Sequence, residues 1–248
     1  MIMQTIDLNC DMGEGMSNDA LLMPFISSAN IACGYHAGDP SIMMQTVELA
    51  LQHNVSIGAH PGFNDKENFG RTEMLLPLNE VYDLVSKQIH ELQQVAKNFA
   101  TTIKHVKPHG ALYNMSAKDA LLANTIAKAV FDIDPAFVLF GLSGSHSITE
   151  AKKIGLTTAS EVFADRTYQD NGSLTPRTQS NAMIETAETS LQQVLQMIQQ
   201  RSVTSVHNKK IPIIAETICL HGDGEQAVSF AEKIYHTLQK NSIVIQSI

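Results

Sequence analysis

The chain has 248 residues, the size of one complete β/α barrel and also enough for two small domains. A hydrophobic share of 44% supplies a sizeable core, while 17% charged residues fall short of the usual figure of about 25%, so the surface is either partly covered by a partner or another copy, or filled by Gln, Ser, Thr and Asn. A net charge of −8 with only the isolated pairs Lys152-Lys153 and Lys209-Lys210 excludes the basic face that nucleic acid needs, and no apolar run approaches the roughly 18 residues of a membrane span.

The predicted elements alternate from one end to the other. A strand over 5–8 leads into Asn9-Cys10-Asp11; Asp7 and Asp11 deny this start the basic and apolar character of a signal peptide. A strand over 27–32 leads into Cys33-Gly34-Tyr35-His36, and a helix over 40–53 follows, with Pro40 near its start and Met43, Met44, Val47 and Leu51 at helical spacing. After a strand over 55–59 come His60-Pro61-Gly62 and a long connection, 61–77. The stretch beyond Pro77 places Val81, Leu84, Val85, Leu92, Val95, Ala96 and Phe99 on one stripe. Further strands over 101–106, 137–140, 157–160 and 213–220 precede Lys107-Pro108-His109-Gly110, the segment 141–145, the segment 161–166 and His221-Gly222-Asp223. Helices are expected over 118–131, 147–154, 184–201 and 225–239, and a last strand, 243–245, closes or edges the sheet.

Strand–helix alternation predicts a mostly parallel sheet. Seven strands with polar residues at their carboxyl ends fit an α/β, single-domain (β/α) barrel whose strand ends ring one pocket, and a doubly wound open sheet is the alternative. No linker or repeat divides residues 1–248. Cys10, Cys33 and Cys219 are odd in number and show no Cys-x-x-Cys pairing, which predicts a reduced, cytoplasmic protein.

On that shared rim Asn9, Asp11 and Glu14 come from the first strand end; the carboxylates suit water activation or metal binding, while Asp11 as a loop cap and a solvent-facing Glu14 are the plainer reading. His36, His60, His109 and His221 follow four different strands and can serve as base, acid or ligand. Lys107, Arg71 and Arg166 suit an anionic substrate group, though Arg166 can instead pair with Asp165 or Glu161 and brace its loop. The glycines and serines of 141–145 offer a weak anion cradle, with an ordinary turn as the better reading. No phosphate-binding loop, dinucleotide fingerprint, His-Glu-x-x-His or Gly-x-Ser-x-Gly elbow is present, so any nucleotide is held in another way or by another subunit.

The ordered motifs LNCDMGEG, SSANIACGYHAGDP, IGAHPGF, FGR, VKPHGALYN, EVFADRTY with a following Gly-x-Leu-x-Pro-Arg, and CLHGD resemble the LamB/YcsF family over nearly the whole chain. One departure is that Arg71 is followed by Thr72 where the family usually carries a second arginine. The resemblance implies a barrel of about seven strands, similar to the glycoside hydrolase and deacetylase barrels. It also implies one component of an ATP-dependent 5-oxoprolinase, which opens the lactam of 5-oxo-L-proline to L-glutamate together with subunits B and C, ATP being a co-substrate held in part by those partners.

A lactam carbonyl is a poor electrophile, so coupling to ATP points to phosphorylation of its oxygen followed by attack of water. The expected catalytic set is Asp11 or His60 as base, His109 as proton donor, Lys107 facing developing charge, and His36 and Glu161 orienting them. Asn9, Arg71 and Arg166 are the expected substrate-binding residues. A second reading is a metal-dependent deacetylase or amidohydrolase acting alone, with a divalent ion on an Asp and two or three His. A third is a non-catalytic, substrate-binding component.

Overall fold

The computed structural model describes residues 4–220 and 227–248. Its chain order is β1 (Gln4–Met12), α1 (Asp19–Leu22), β2 (Ser28–Ala32), α2 (Pro40–Gln52), β3 (Ser56–His60), α3 (Leu78–Asn98), β4 (His105–Val106), α4 (Gly110–Lys118) and α5 (Ala120–Ile133). Then follow β5 (Val138–Leu142), α6 (His146–Ile154), β6 (Thr157–Phe163), α7 (Ala187–Gln200), β7 (Ser202–Thr204), β8 (Lys210–Pro212), β9 (Thr217–Leu220), α8 (Ala227–Lys240) and β10 (Ile243–Ile245). Strands β1 to β6 and β9 pair in parallel, and β9 pairs with both β6 and β1, so seven strands close into a barrel. The open-sheet alternative is thereby excluded. Closure falls to β9, not to the last strand: β10 pairs only with the first residues of β1, Gln4 to Ile6.

Strand β1 shows why the chain closes this way. Along Asp7-Leu8-Asn9-Cys10-Asp11-Met12 side chains alternate between two faces, and both faces are mostly buried. Leu8, Cys10 and Met12 join the main hydrophobic cluster together with α3 residues Val81, Val85, Ile89 and Leu92, which recur at helical spacing. Asp7, Asn9 and Asp11 face the lumen. Lys107, just past β4, donates across that lumen to Asn9 on β1, although β1 and β4 are not neighbours in the sheet. The polar phase of β1 is therefore an interior stripe.

A small apolar cluster of Val138, Phe140 and Ala159 fills another part of the interior. His105 stacks on Phe140 at 4.3 Å and reaches over β3 to bond Asn30 Oδ1 on β2 at 2.8 Å. It crosses β3 at Gly58, where a Cβ would lie 2.1 Å from the ring.

Several predicted boundaries shift. Strands β1 and β6 run farther than expected, carrying Asn9, Asp11 and Glu161 on strands rather than beyond them, and β4 shrinks to two residues because only these pair with β3 and β5. The helix expected over 118–131 is α5, starting two residues later because Asp119 adopts an extended conformation and its carboxylate caps the helix by accepting from the amides of Leu121 and Leu122. Helix α4 and the β7–β8 hairpin were not anticipated. Asp39 caps α2 in the same manner as Asp119 caps α5, with Pro40 opening the first turn. Among the described residues no helix is long and apolar enough to cross a membrane.

Gly58→Ala should force the His105 ring off Asn30 and Phe140. The expected loss of unfolding free energy is about 1–3 kcal/mol, measured by urea denaturation.

Candidate functional site

The lumen network begins at Asp7, whose carboxylate accepts from Ser27 Oγ (2.6 Å), Ser28 Oγ (2.7 Å) and Thr217 Oγ1. Burial raises its pKa, opposed by those bonds and reinforced by Glu161. Thr217 in turn accepts from Asn9 Nδ2 at 2.6 Å. Asn9 Oδ1 accepts from Asn30 Nδ2 (2.8 Å) and Lys107 Nζ (3.1 Å). One layer up, Asp11 Oδ1 accepts from Asn30 Nδ2 and Lys107 Nζ, each at 2.9 Å.

Lys107 is the hub. Its ammonium is paired with Glu161 Oε1 at 2.8 Å and with Asp11 Oδ1, and it donates to Cys219 Sγ at 3.2 Å. Burial alone would strip its proton, but Asp11, Cys219 and Glu161 outweigh that and hold its pKa well above the ordinary lysine value. Glu161 is fully buried, and its charge helps push the phenol of neighbouring Tyr113 upward, burial being the larger cause.

Above this floor sits a histidine cluster. His60 Nδ1 donates to the carbonyl of Lys107 at 2.7 Å, leaving Nε2 2.8 Å from His109 Nδ1 and 3.3 Å from Asp11 Oδ2. His109 Nε2 donates to the carbonyl of Phe69 at 2.8 Å. His36 stacks on His109 at 3.7 Å, and its Nε2 lies 3.1 Å from Glu14 Oε1. The same Glu14 oxygen is 3.3 Å from His109 Nδ1 and 3.8 Å from His60 Nε2. Burial, together with His60, depresses His36 to about 2 and drives His109 well below its ordinary value. Two glycines admit these rings: a Cβ on Gly62 would stand 2.8 Å from His36 Nδ1, and one on Gly70 would stand 2.7 Å from His36 Cβ.

Asp11, Glu14, His60, Lys107 and His109 line the inner part of a cavity of about 430 Å³. Arg71 and Arg177 line it too, from the two long connections, and Arg71 packs its guanidinium 4.8 Å from the Phe69 ring centre.

The other two expected substrate contacts, Asn9 and Arg166, differ in where the structure places them. Asn9 lies fully buried among Thr217, Asn30 and Lys107 and does not line the cavity. Arg166 does line it, and its guanidinium also donates to the carbonyls of Thr175 (2.6 Å) and Ala182 (3.3 Å), which braces its loop. His36 and Glu161 likewise lie outside the cavity lining, His36 held to Glu14 and Glu161 to Lys107. The 141–145 segment ends β5 and turns into α6, with Ser143 Oγ accepting from the amide of Ile214. His221 and its neighbours lie outside the described residues.

Asn30, His105, Tyr113 and Arg177 are the functional candidates that sequence reasoning passed over. Of the two readings of Glu14, rim carboxylate or solvent-facing side chain, the structure has the first: the positive-φ pair Gly13 and Gly15 turns the chain and places the carboxylate on the histidines. Asn30 and His105 were detectable in principle, since they continue the lumen phase of β1 on β2 and β4.

The LamB/YcsF family model matches residues 6–248. Relatives named as the A subunit of 5-oxoprolinase come from Bacillus cereus (strain Q1), at 53% identity over 98% of both chains, and Bacillus anthracis (strain CDC 684 / NRRL 3495), at 51% over the same shares. The crystal structure of Lactam Utilization Protein from Thermus thermophilus superposes with a TM-score of 0.93 at 36% identity, covering 99% of this chain and 100% of that one. A family 4 carbohydrate esterase from Streptomyces lividans in complex with acetate shares the fold, with a TM-score of 0.53 at 15% identity over 99% and 93% of the two chains.

Replacing Lys107 by Met should leave Asp11 and Glu161 buried without their cation. Chemical denaturation should show a loss of about 3–5 kcal/mol, partly restored when Glu161→Gln is added to Lys107→Met.

Proposed function

This chain belongs to the LamB/YcsF family, and we propose that it is the lactam-opening subunit of an ATP-coupled 5-oxoprolinase that converts 5-oxo-L-proline to L-glutamate. The relatives named for the A subunit of 5-oxoprolinase support the activity class, because they match end to end rather than over a shared domain. The observation that carries the reading is Asp11, fixed between Lys107 Nζ and His60 Nε2 at the edge of a cavity that also presents arginines.

The lactam ring lies in the cavity with its carboxylate toward Arg71 or Arg177, whose planar guanidinium groups suit carboxylate and phosphate alike. ATP phosphorylates the lactam oxygen, releasing ADP. Asp11 takes a proton as water adds to the ring carbon, and Lys107 faces the negative charge that develops there. The C–N bond breaks as Asp11 passes the proton it took from water to the departing nitrogen, with His60 and His109 holding Asp11 and the ring in place, and an acyl phosphate remains. A second water releases phosphate and glutamate. His36 and Glu161 orient Glu14 and Lys107, and Arg166 keeps the cavity wall in place.

The nucleotide chemistry belongs with partner subunits B and C, in keeping with a chain that carries no phosphate-binding loop motif. Cytoplasmic placement is part of the same proposal, supported by Cys10, Cys33 and Cys219, all buried and none in a disulfide.

The test is reconstitution of this chain with subunits B and C and measurement of glutamate and ADP. Asp11→Asn should lower kcat by about 10²- to 10⁴-fold with little change in KM, and His109→Ala should likewise abolish most turnover. Arg71→Ala should act chiefly on KM for 5-oxoproline. Near-normal turnover in Asp11→Asn would remove the proposed base, and an assembly that forms no glutamate would overturn the activity itself.

A further inference from the structure

His60 and His109 meet nitrogen to nitrogen, and the chemistry of that contact is unusual. A carbonyl oxygen only accepts, so His60 Nδ1, bonded to the Lys107 carbonyl, carries a hydrogen, and so does His109 Nε2, bonded to the Phe69 carbonyl. In the neutral rings the remaining nitrogens, His60 Nε2 and His109 Nδ1, are then both lone pairs, 2.8 Å apart. Two lone pairs repel unless a cation lies between them or beside both.

A single shared proton would relieve that one contact. It would not account for Glu14 Oε1, which stands 3.1, 3.3 and 3.8 Å from ring nitrogens of His36, His109 and His60. His36 likewise turns Nε2 to that carboxylate, while its buried Nδ1 has no hydrogen-bond partner. Four donor atoms from Glu14, His36, His60 and His109 thus lie within 4.8 Å of one another. Around a tetrahedral ion with bonds of about 2.0–2.1 Å, ligand atoms stand about 3.3 Å apart, close to several of these separations.

We propose that Glu14, His36, His60 and His109 form a binding site for one divalent transition-metal ion of the zinc class. Three imidazoles and one carboxylate select such ions over magnesium or calcium, which prefer all-oxygen shells. The carbonyls of Lys107 and Phe69 are the outer partners that orient two of the ligand rings, as outer-shell acceptors do in metal sites generally. Asp11 Oδ2, 3.3 Å from His60 Nε2 and lining the cavity, stands at the substrate side of the cluster. An ion there would supply an electrophile for an oxygen entering the cavity. The site does not depend on the identity of the substrate.

The full chain, stripped with a chelator and dialysed, would be titrated with Zn²⁺ alone and with Co²⁺ alone, without substrate or partner subunits. Expected are one equivalent of bound metal by elemental analysis, a rise in Tm on adding Zn²⁺, and Co²⁺ visible absorption of a low-coordinate, imidazole-rich site. Glu14→Gln and His109→Gln, checked for fold by circular dichroism, should each weaken binding by more than the roughly 10–100-fold that loss of an outer partner costs. X-ray absorption on the Zn²⁺-loaded unmodified chain gives a readout that needs no variant, and a shell dominated by imidazole nitrogen is the expected result. Substoichiometric uptake, an all-oxygen shell, or binding unchanged in both variants would overturn the proposal. Because glutamate formation plays no part in these measurements, they succeed or fail separately from the proposed reaction.

Discussion

The Lys107 ammonium, held inside a closed barrel between Asp11 and Glu161, is the interaction on which the rest of the site depends. Charges removed from water persist only when paired and hydrogen-bonded, and each atom around Lys107 is placed by another polar group. Asn9 takes one of its protons, Asn30 bridges Asn9 to Asp11, and Thr217 ties Asn9 to Asp7. An apolar lumen would be simpler to stabilise. The polar lumen instead fixes the carboxylate of Asp11 in one position, as the base proposed above requires.

Around this rigid floor the walls are made by loops, and the two parts contribute differently. The floor groups of Asn9, Asp11, His60, Glu161 and Cys219 come from strands, whose positions are set by register with their neighbours. The cations that line the cavity, Arg71 and Arg177, come from long connections, which Arg166 and the Gly70 turn hold against the barrel. Gly62 and Gly70 matter at the junction: with no Cβ, the 61–77 connection lies directly against the stacked rings of His36 and His109. Loop and floor therefore form one packed unit around the histidines.

Much of this was legible in the chain. Alternating strand and helix patterns indicated a parallel barrel, and the polar groups beyond each strand indicated a common mouth. The departures have local causes. Helix α5 starts at Ala120 rather than at residue 118 because the Asp119 carboxylate caps its first turn instead of lying within it. Asn9 and Arg166 were read as substrate contacts from residue type and position beyond a strand, yet Asn9 is buried among Thr217, Asn30 and Lys107, and Arg166 also braces its own loop. For Glu14 the chain left two readings open, rim carboxylate or solvated turn residue, and the folded turn sets it against three imidazoles.

The sequence by itself determined the strand order of polar residues, the alternation that sends Asp7, Asn9 and Asp11 to one face of β1, and the family. Those properties are local: they follow from a side-chain period of two and from motifs a few residues long. Only the tertiary structure decided which nitrogen of His60 meets which nitrogen of His109, that β9 rather than β10 closes the ring, and that Lys107 reaches Asn9, Asp11 and Glu161 at once. The His60–His109 contact spans 49 positions of the chain and the Asn9–Thr217 contact 208. Strand register and ring tautomer set such contacts, and no local pattern encodes either.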